Sequence, residues 1–95
     1  MVKTNKKTNE WQNFLQLCTK LKTKQQFAYL FELFLTKAEE EDIALRYTVL
    51  TKLLSGMETQ RNIAKELKIS IAKITRGSNA LKIADKKLLA MLRCL

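Results

Sequence analysis

Thr59-Gln-Arg-Asn-Ile-Ala-Lys-Glu-Leu-Lys-Ile-Ser-Ile-Ala-Lys-Ile-Thr-Arg-Gly-Ser78 is the stretch that decides the fold. Thr59 and Ser70 are N-cap residues, because a hydroxyl oxygen there accepts one of the free amide protons of the first turn. They open two helices, over 60–67 and 71–81. Ile63 and Leu67 face inward from the first helix, and Ile69 and Ile74 meet them from the turn and the second. Ala64 falls where the two helices cross, and a larger side chain would push them apart. Two short helices, a tight turn and many Lys and Arg predict a helix-turn-helix at about 59–81, whose second helix enters the DNA major groove. One residue departs from the usual pattern. The turn position often held by Gly is Lys68, where left-handed backbone costs a non-glycine residue about 1 kcal/mol or more.

The surrounding chain is helical as well. Ninety-five residues make one small domain, and such a chain gains by pairing with a copy of itself. Proline is absent and only two Gly occur, so the pattern favours an all-α fold. Residues 1–9 are polar and basic, and are expected to form a flexible arm. Residues 10–95 are expected to form a single helical domain. Trp11, Phe14, Leu15, Cys18 and Leu21 make one apolar stripe at helical spacing. After the lysine-rich break Lys22-Thr-Lys24, a second helix carries Phe27, Leu30, Phe31 and Phe34. Four of the seven aromatics fall within residues 27–34, an apolar surplus that fits a dimer interface.

Thr36-Lys-Ala-Glu39 has the spacing of a capping box, and the acidic run to Asp42 suits the positive end of a helix dipole. That third helix runs through Leu45, Val49, Leu50, Leu53 and Leu54 to Gly56, a left-handed cap. A sixth helix starts after Asp85 and places Leu88, Leu89, Met91, Leu92 and Leu95 on one side.

Charge is unevenly placed. The net +9 divides into +5 over residues 1–25, −3 over 26–58 and +7 over 59–95, so the basic third coincides with the helix-turn-helix. That coincidence points to a polyanion partner, double-stranded DNA. Arg61, with Gln60 beside it, is placed to reach base edges from the first helix. Ile71, Ala72, Lys73 and Thr75 occupy the part of the second helix that meets bases, while Lys65 and Lys82 suit phosphates.

Other function classes are disfavoured. Histidine is absent, Cys18 and Cys94 are far apart, and no cluster suits a metal, so neither an enzyme nor a metal site is expected. No apolar run reaches the ~20 residues of a membrane span, and the N-terminus does not read as a signal peptide. A cytoplasmic protein with no cofactor is the expectation.

At Ile74-Thr-Arg-Gly-Ser-Asn-Ala-Leu-Lys82, with Gln60-Arg61, Glu66-Leu67 and Ile71-Ala72 upstream, the chain resembles the tryptophan operon repressors of bacteria. The similarity continues back through Leu53-Leu54-x-Gly56 and Arg46 to Leu33-x-Leu35-Thr36, and covers roughly residues 10–92. It implies a six-helix intertwined homodimer that binds a palindromic operator when L-tryptophan, its corepressor, is bound.

Carried over by position, the resemblance assigns a ligand site. Arg76 and Arg46 would sandwich the indole, with Arg46 also pairing with the carboxylate. The Leu33 and Leu35 carbonyls, with Thr36 beside them, would come from the second subunit. Gly77 would let the ring approach the helix. Three positions depart from the family pattern. Ala80 replaces the usual Ser near the ammonium, removing an acceptor at about 1 kcal/mol. Lys73 replaces a Thr on the recognition helix, and Lys37 a Pro.

The main alternative is a helix-turn-helix regulator of the same superfamily that does not respond to tryptophan. A replication-initiator-like DNA-binding domain and a pure dimerisation module fit less well. The first lacks its nucleotide loop, and the second leaves the basic third without a purpose.

Overall fold

The computed structural model describes residues 6–95, which form six α-helices and no strand. They are α1 (Lys6–Cys18), α2 (Lys24–Phe34), α3 (Lys37–Ser55), α4 (Gln60–Leu67), α5 (Ile71–Lys82) and α6 (Lys86–Arg93). Contacts divide the chain into two compact units, one ending at Ala38 and the other spanning Glu39–Leu95.

In the first unit, α1 begins at Lys6, earlier than the Glu10 start that the apolar stripe suggests. Once the i→i−4 ladder is running, a helix can extend past its apolar stripe, so α1 begins ahead of Trp11. The flexible arm expected over 1–9 therefore overlaps α1 at 6–9, and its first five residues lie outside the described ones. Aromatic rings join the two helices of this unit. Trp11 stacks on Phe14 with centroids 5.6 Å apart, and Phe14 meets Phe34 of α2 edge-on at 5.3 Å. Leu30 is the buried residue here.

The start of α2 carries a capping box that the sequence reading passed over as a break. Thr23 Oγ1 accepts from the Gln26 amide at 3.1 Å. Gln26 Oε1 accepts in return from the amides of Thr23 and Lys22, at 3.2 and 2.7 Å. These bonds satisfy amides that the helix geometry leaves open. Helix α3 starts directly after Thr36, where its cap was expected.

In the second unit, α3 stops at Gly56 in the left-handed conformation, φ +67°. Thr59 Oγ1 accepts from the Asn62 amide at 3.1 Å and caps α4. Ser70 Oγ accepts from the Lys73 amide at 3.4 Å and caps α5. Between them Lys68 sits at φ 58°, ψ 44°, as the turn demands. The bond from the Ile69 amide to the Ala64 carbonyl, 3.0 Å, closes that turn.

Val49, Ile63, Ala64 and Ile74 form the core, with Leu45, Leu53, Leu67 and Ile69 packed around it. Ile63 and Ile74 are fully buried, and Ala64 is buried with them in this cluster. Asp85 caps α6 by accepting from the Leu88 amide at 3.0 Å. Leu88 and Met91 of α6, and Leu95 beyond its end, are exposed, while Leu89 and Leu92 are half-buried.

Candidate ligand cleft and DNA-facing helix pair

Helices α3 and α5 pack closely because α5 carries a glycine at their contact. A Cβ on Gly77 would lie 3.2 Å from Val49 Cγ1, 3.4 Å from Leu53 Cδ1 and 3.5 Å from Leu50 Cδ2. The missing side chain of Gly77 thus faces the side chains of α3.

Beside this contact lies an open cleft of about 360 Å³. That volume lies within the ~300–1,000 Å³ range of small-molecule sites. Arg46 from α3 and Arg76, Gly77 and Ala80 from α5 all line it, so four of the sequence-predicted ligand residues come together. Leu45, Val49, Leu50 and Ile69 supply an apolar floor. Two guanidinium groups over an apolar floor suit a flat aromatic that carries a carboxylate.

Two cleft residues were not expected there. Asp42 lines it from α3, and Lys73 from the first turn of α5. Asp42 lies one helical turn before Arg46, and the i, i+4 rule would have put both on one face. Lys73 was assigned to the DNA face alone. Its position two residues into α5 lets an exposed lysine border the cleft as well. Leu33, Leu35 and Thr36 lie at the end of α2 and in the link to α3, within the first unit. The role expected of them belongs to a second copy.

The predicted DNA-facing residues lie on α4 and α5. Gln60, Arg61, Lys65, Ile71, Ala72, Lys73, Thr75 and Lys82 are all exposed. The Thr75 hydroxyl lies 3.1 Å from its own helix's Ile71 carbonyl and 3.4 Å from Gln60 Oε1, which ties the start of α4 to α5. Lys82 Nζ donates to Asn79 Oδ1 at 3.5 Å.

One ion cluster links this helix pair to α3. Lys52 Nζ is 2.7 Å from Glu66 Oε1 on α4 and 3.4 Å from Glu58 Oε1 in the preceding loop. The hydrogen bond that it donates to Glu66, chiefly, raises the Lys52 ammonium above its ordinary pKa. The same bond to Lys52 holds the Glu66 carboxyl below the usual carboxylate range. Sequence reasoning missed the cluster, since residues 14 apart on different helices leave no periodic signal.

The family model described as Trp repressor protein matches residues 9–95. A Trp operon repressor homolog of Chlamydia caviae is 51% identical over 79 residues, which is 83% of this chain and 78% of the relative. One from Chlamydia trachomatis serovar L2 is 48% identical over 81 residues, 85% of this chain and 86% of the relative. One from Vibrio campbellii is 38% identical over 73 residues, 77% of this chain and 73% of the relative.

Proposed function

Because the chain belongs to the Trp repressor protein family, we propose that it is an L-tryptophan-dependent transcriptional repressor that binds a palindromic operator as a homodimer. It needs no cofactor besides the corepressor, and it acts in the cytoplasm, where bacterial DNA is found. The observation that carries the reading is the cleft in which Arg46 and Arg76 meet beside Gly77 and Ala80. One wall of that cleft is α5, the helix expected to read bases. Ligand and DNA therefore share an element.

A dimer is supported by the apolar surface of a single copy. Trp11, Tyr29, Leu33 and Phe34 in the first unit, and Leu88, Met91 and Leu95 in the second, are exposed. Apolar surface of this extent marks an interaction face. Two reading heads then enter successive major grooves about 34 Å apart.

Tryptophan fills the cleft with its indole between the guanidinium groups and its carboxylate matched to Arg46. The occupied cleft holds α5 in the arrangement that suits DNA. The ligand acts by its differential affinity for that arrangement, and DNA must tighten ligand binding by the same factor.

Isothermal titration with L-tryptophan tests the site. The expected result is one site per protomer, with affinity lost in Arg76→Ala. No heat of binding in a folded wild-type protein would favour the regulator that ignores tryptophan, a reading to which the absent hydroxyl at Ala80 gives some support.

A further inference from the structure

We propose that Lys52 is a positioning residue that fixes the orientation of the helix-turn-helix on α3 through Glu66 and Glu58. The proposal rests on the DNA-binding reading above, but its observations are separate from the ligand cleft. Beyond the core that Val49 shares with Ile63 and Ile74, two further contacts hold the helix pair to α3. Gly77 lets α5 lie against Val49, Leu50 and Leu53. Glu66, in the last turn of α4, takes the Lys52 ammonium at 2.7 Å. The core and the glycine contact are apolar and non-directional, whereas the ion pair adds a directional tie at the end of α4. The same ammonium reaches Glu58 at 3.4 Å, so it also holds the loop through which α4 follows α3. The Lys52 side chain is 27% exposed, so part of its charge is withdrawn from water toward the two carboxylates.

Charge placement supports the same conclusion. Glu66 and Asp85 are the acidic residues of a segment, 59–95, that otherwise carries nine Lys and Arg. A carboxylate on a phosphate-facing helix pair opposes DNA binding unless it does something else. Here it clamps the pair to α3, with Lys52 supplying the neutralising charge.

Glu66→Gln separates the two ideas by the sign of its effect. It makes the protein more positive by one charge, which alone strengthens DNA binding. Loss of the clamp weakens it. We expect operator affinity, measured with saturating L-tryptophan, to fall about threefold or more, in line with a partly exposed ion pair. Affinity for L-tryptophan without DNA should stay within about twofold, since neither residue lines the cleft. The swap Lys52→Glu with Glu66→Lys, made together with Glu58→Gln so that no carboxylate faces the new one, should recover most of the lost operator affinity.

Amide hydrogen exchange on the DNA-free protein gives an independent readout: Glu66→Gln should speed exchange in α4 while leaving α2 unchanged. Operator affinity at or above wild type, or unaltered exchange in α4, overturns the proposal. So does a swap no better than Glu66→Gln alone. If wild type binds no operator at any tryptophan concentration, the DNA-binding reading fails, while the exchange result still decides whether the clamp exists.

Discussion

Gly77→Ala puts the α3–α5 contact to a quantitative test. Gly77 is in the interior of α5, where replacing Gly by Ala ordinarily stabilises a helix by about 1 kcal/mol. Here the new Cβ would stand 3.2 Å from Val49 Cγ1, closer than an ordinary contact. Leu50 and Leu53, at 3.5 and 3.4 Å, have flexible ends that can move aside. Val49 cannot do so easily. It is 5% exposed, in the core, and β-branched, so its χ1 is fixed. The helices must part by a few tenths of an ångström, and such overpacking costs about 1–3 kcal/mol. The expected net result is a loss of about 1 kcal/mol, the excess of that cost over the helix-propensity gain.

Val49→Ala alone removes two methyl groups and leaves a cavity, which costs about 2–3 kcal/mol. With that space open, Gly77→Ala should recover the propensity gain and stabilise by about 1 kcal/mol. The double-mutant cycle therefore predicts a favourable coupling of about 2 kcal/mol. Urea unfolding at one fixed protomer concentration measures all four proteins, since stability depends on concentration if the protein dimerises. If Gly77→Ala stabilises wild type by the full propensity amount, the helices do not approach as described, and the cleft beside them has a different shape.

Three further outcomes are expected. Lys68→Gly should raise stability by about 1 kcal/mol, because the residue at φ 58° then carries no left-handed penalty; a drop in melting temperature would show that Lys68 contributes something else. The Glu66 carboxyl is depressed in the folded state, so its contribution is complete above the ordinary Glu pKa of about 4.3. It is lost as pH falls through the lower folded value. Acid unfolding of wild type should show this loss on the low-pH side, Glu66→Gln should not, and identical pH profiles would contradict the ion pair. Ala80→Ser should tighten L-tryptophan binding about fivefold if its hydroxyl meets the ammonium at the usual ~1 kcal/mol of a hydrogen bond, and unchanged affinity in titration would place the ammonium elsewhere.

The helix-turn-helix was legible because each of its determinants is local. Thr59 and Ser70 cap their helices, Ile63, Ala64 and Ile74 fall on the buried faces, and Lys68 takes the left-handed turn despite its Cβ. Arg46 and Arg76 were readable only through family resemblance, since nothing in their spacing shows that α3 and α5 lie side by side. Asp42 was readable in principle, one turn from Arg46, but an acidic run at a helix start has a sufficient local explanation in the helix dipole. Lys73 was assigned a single direction, although a long side chain at a helix start serves two faces. The capping box at Thr23 and Gln26 was hidden by flanking lysines that looked like a break. The Lys52 cluster depends on tertiary packing alone.

In the proposed function one helix, α5, serves ligand and DNA together. The most direct measurement is a gel shift on a palindromic operator fragment, with and without L-tryptophan, for wild type and Arg76→Ala. Tryptophan should strengthen wild-type binding by about 5–150-fold, the range typical of coupled sites, and should leave Arg76→Ala at the ligand-free level. Equal wild-type affinity with and without tryptophan would contradict it.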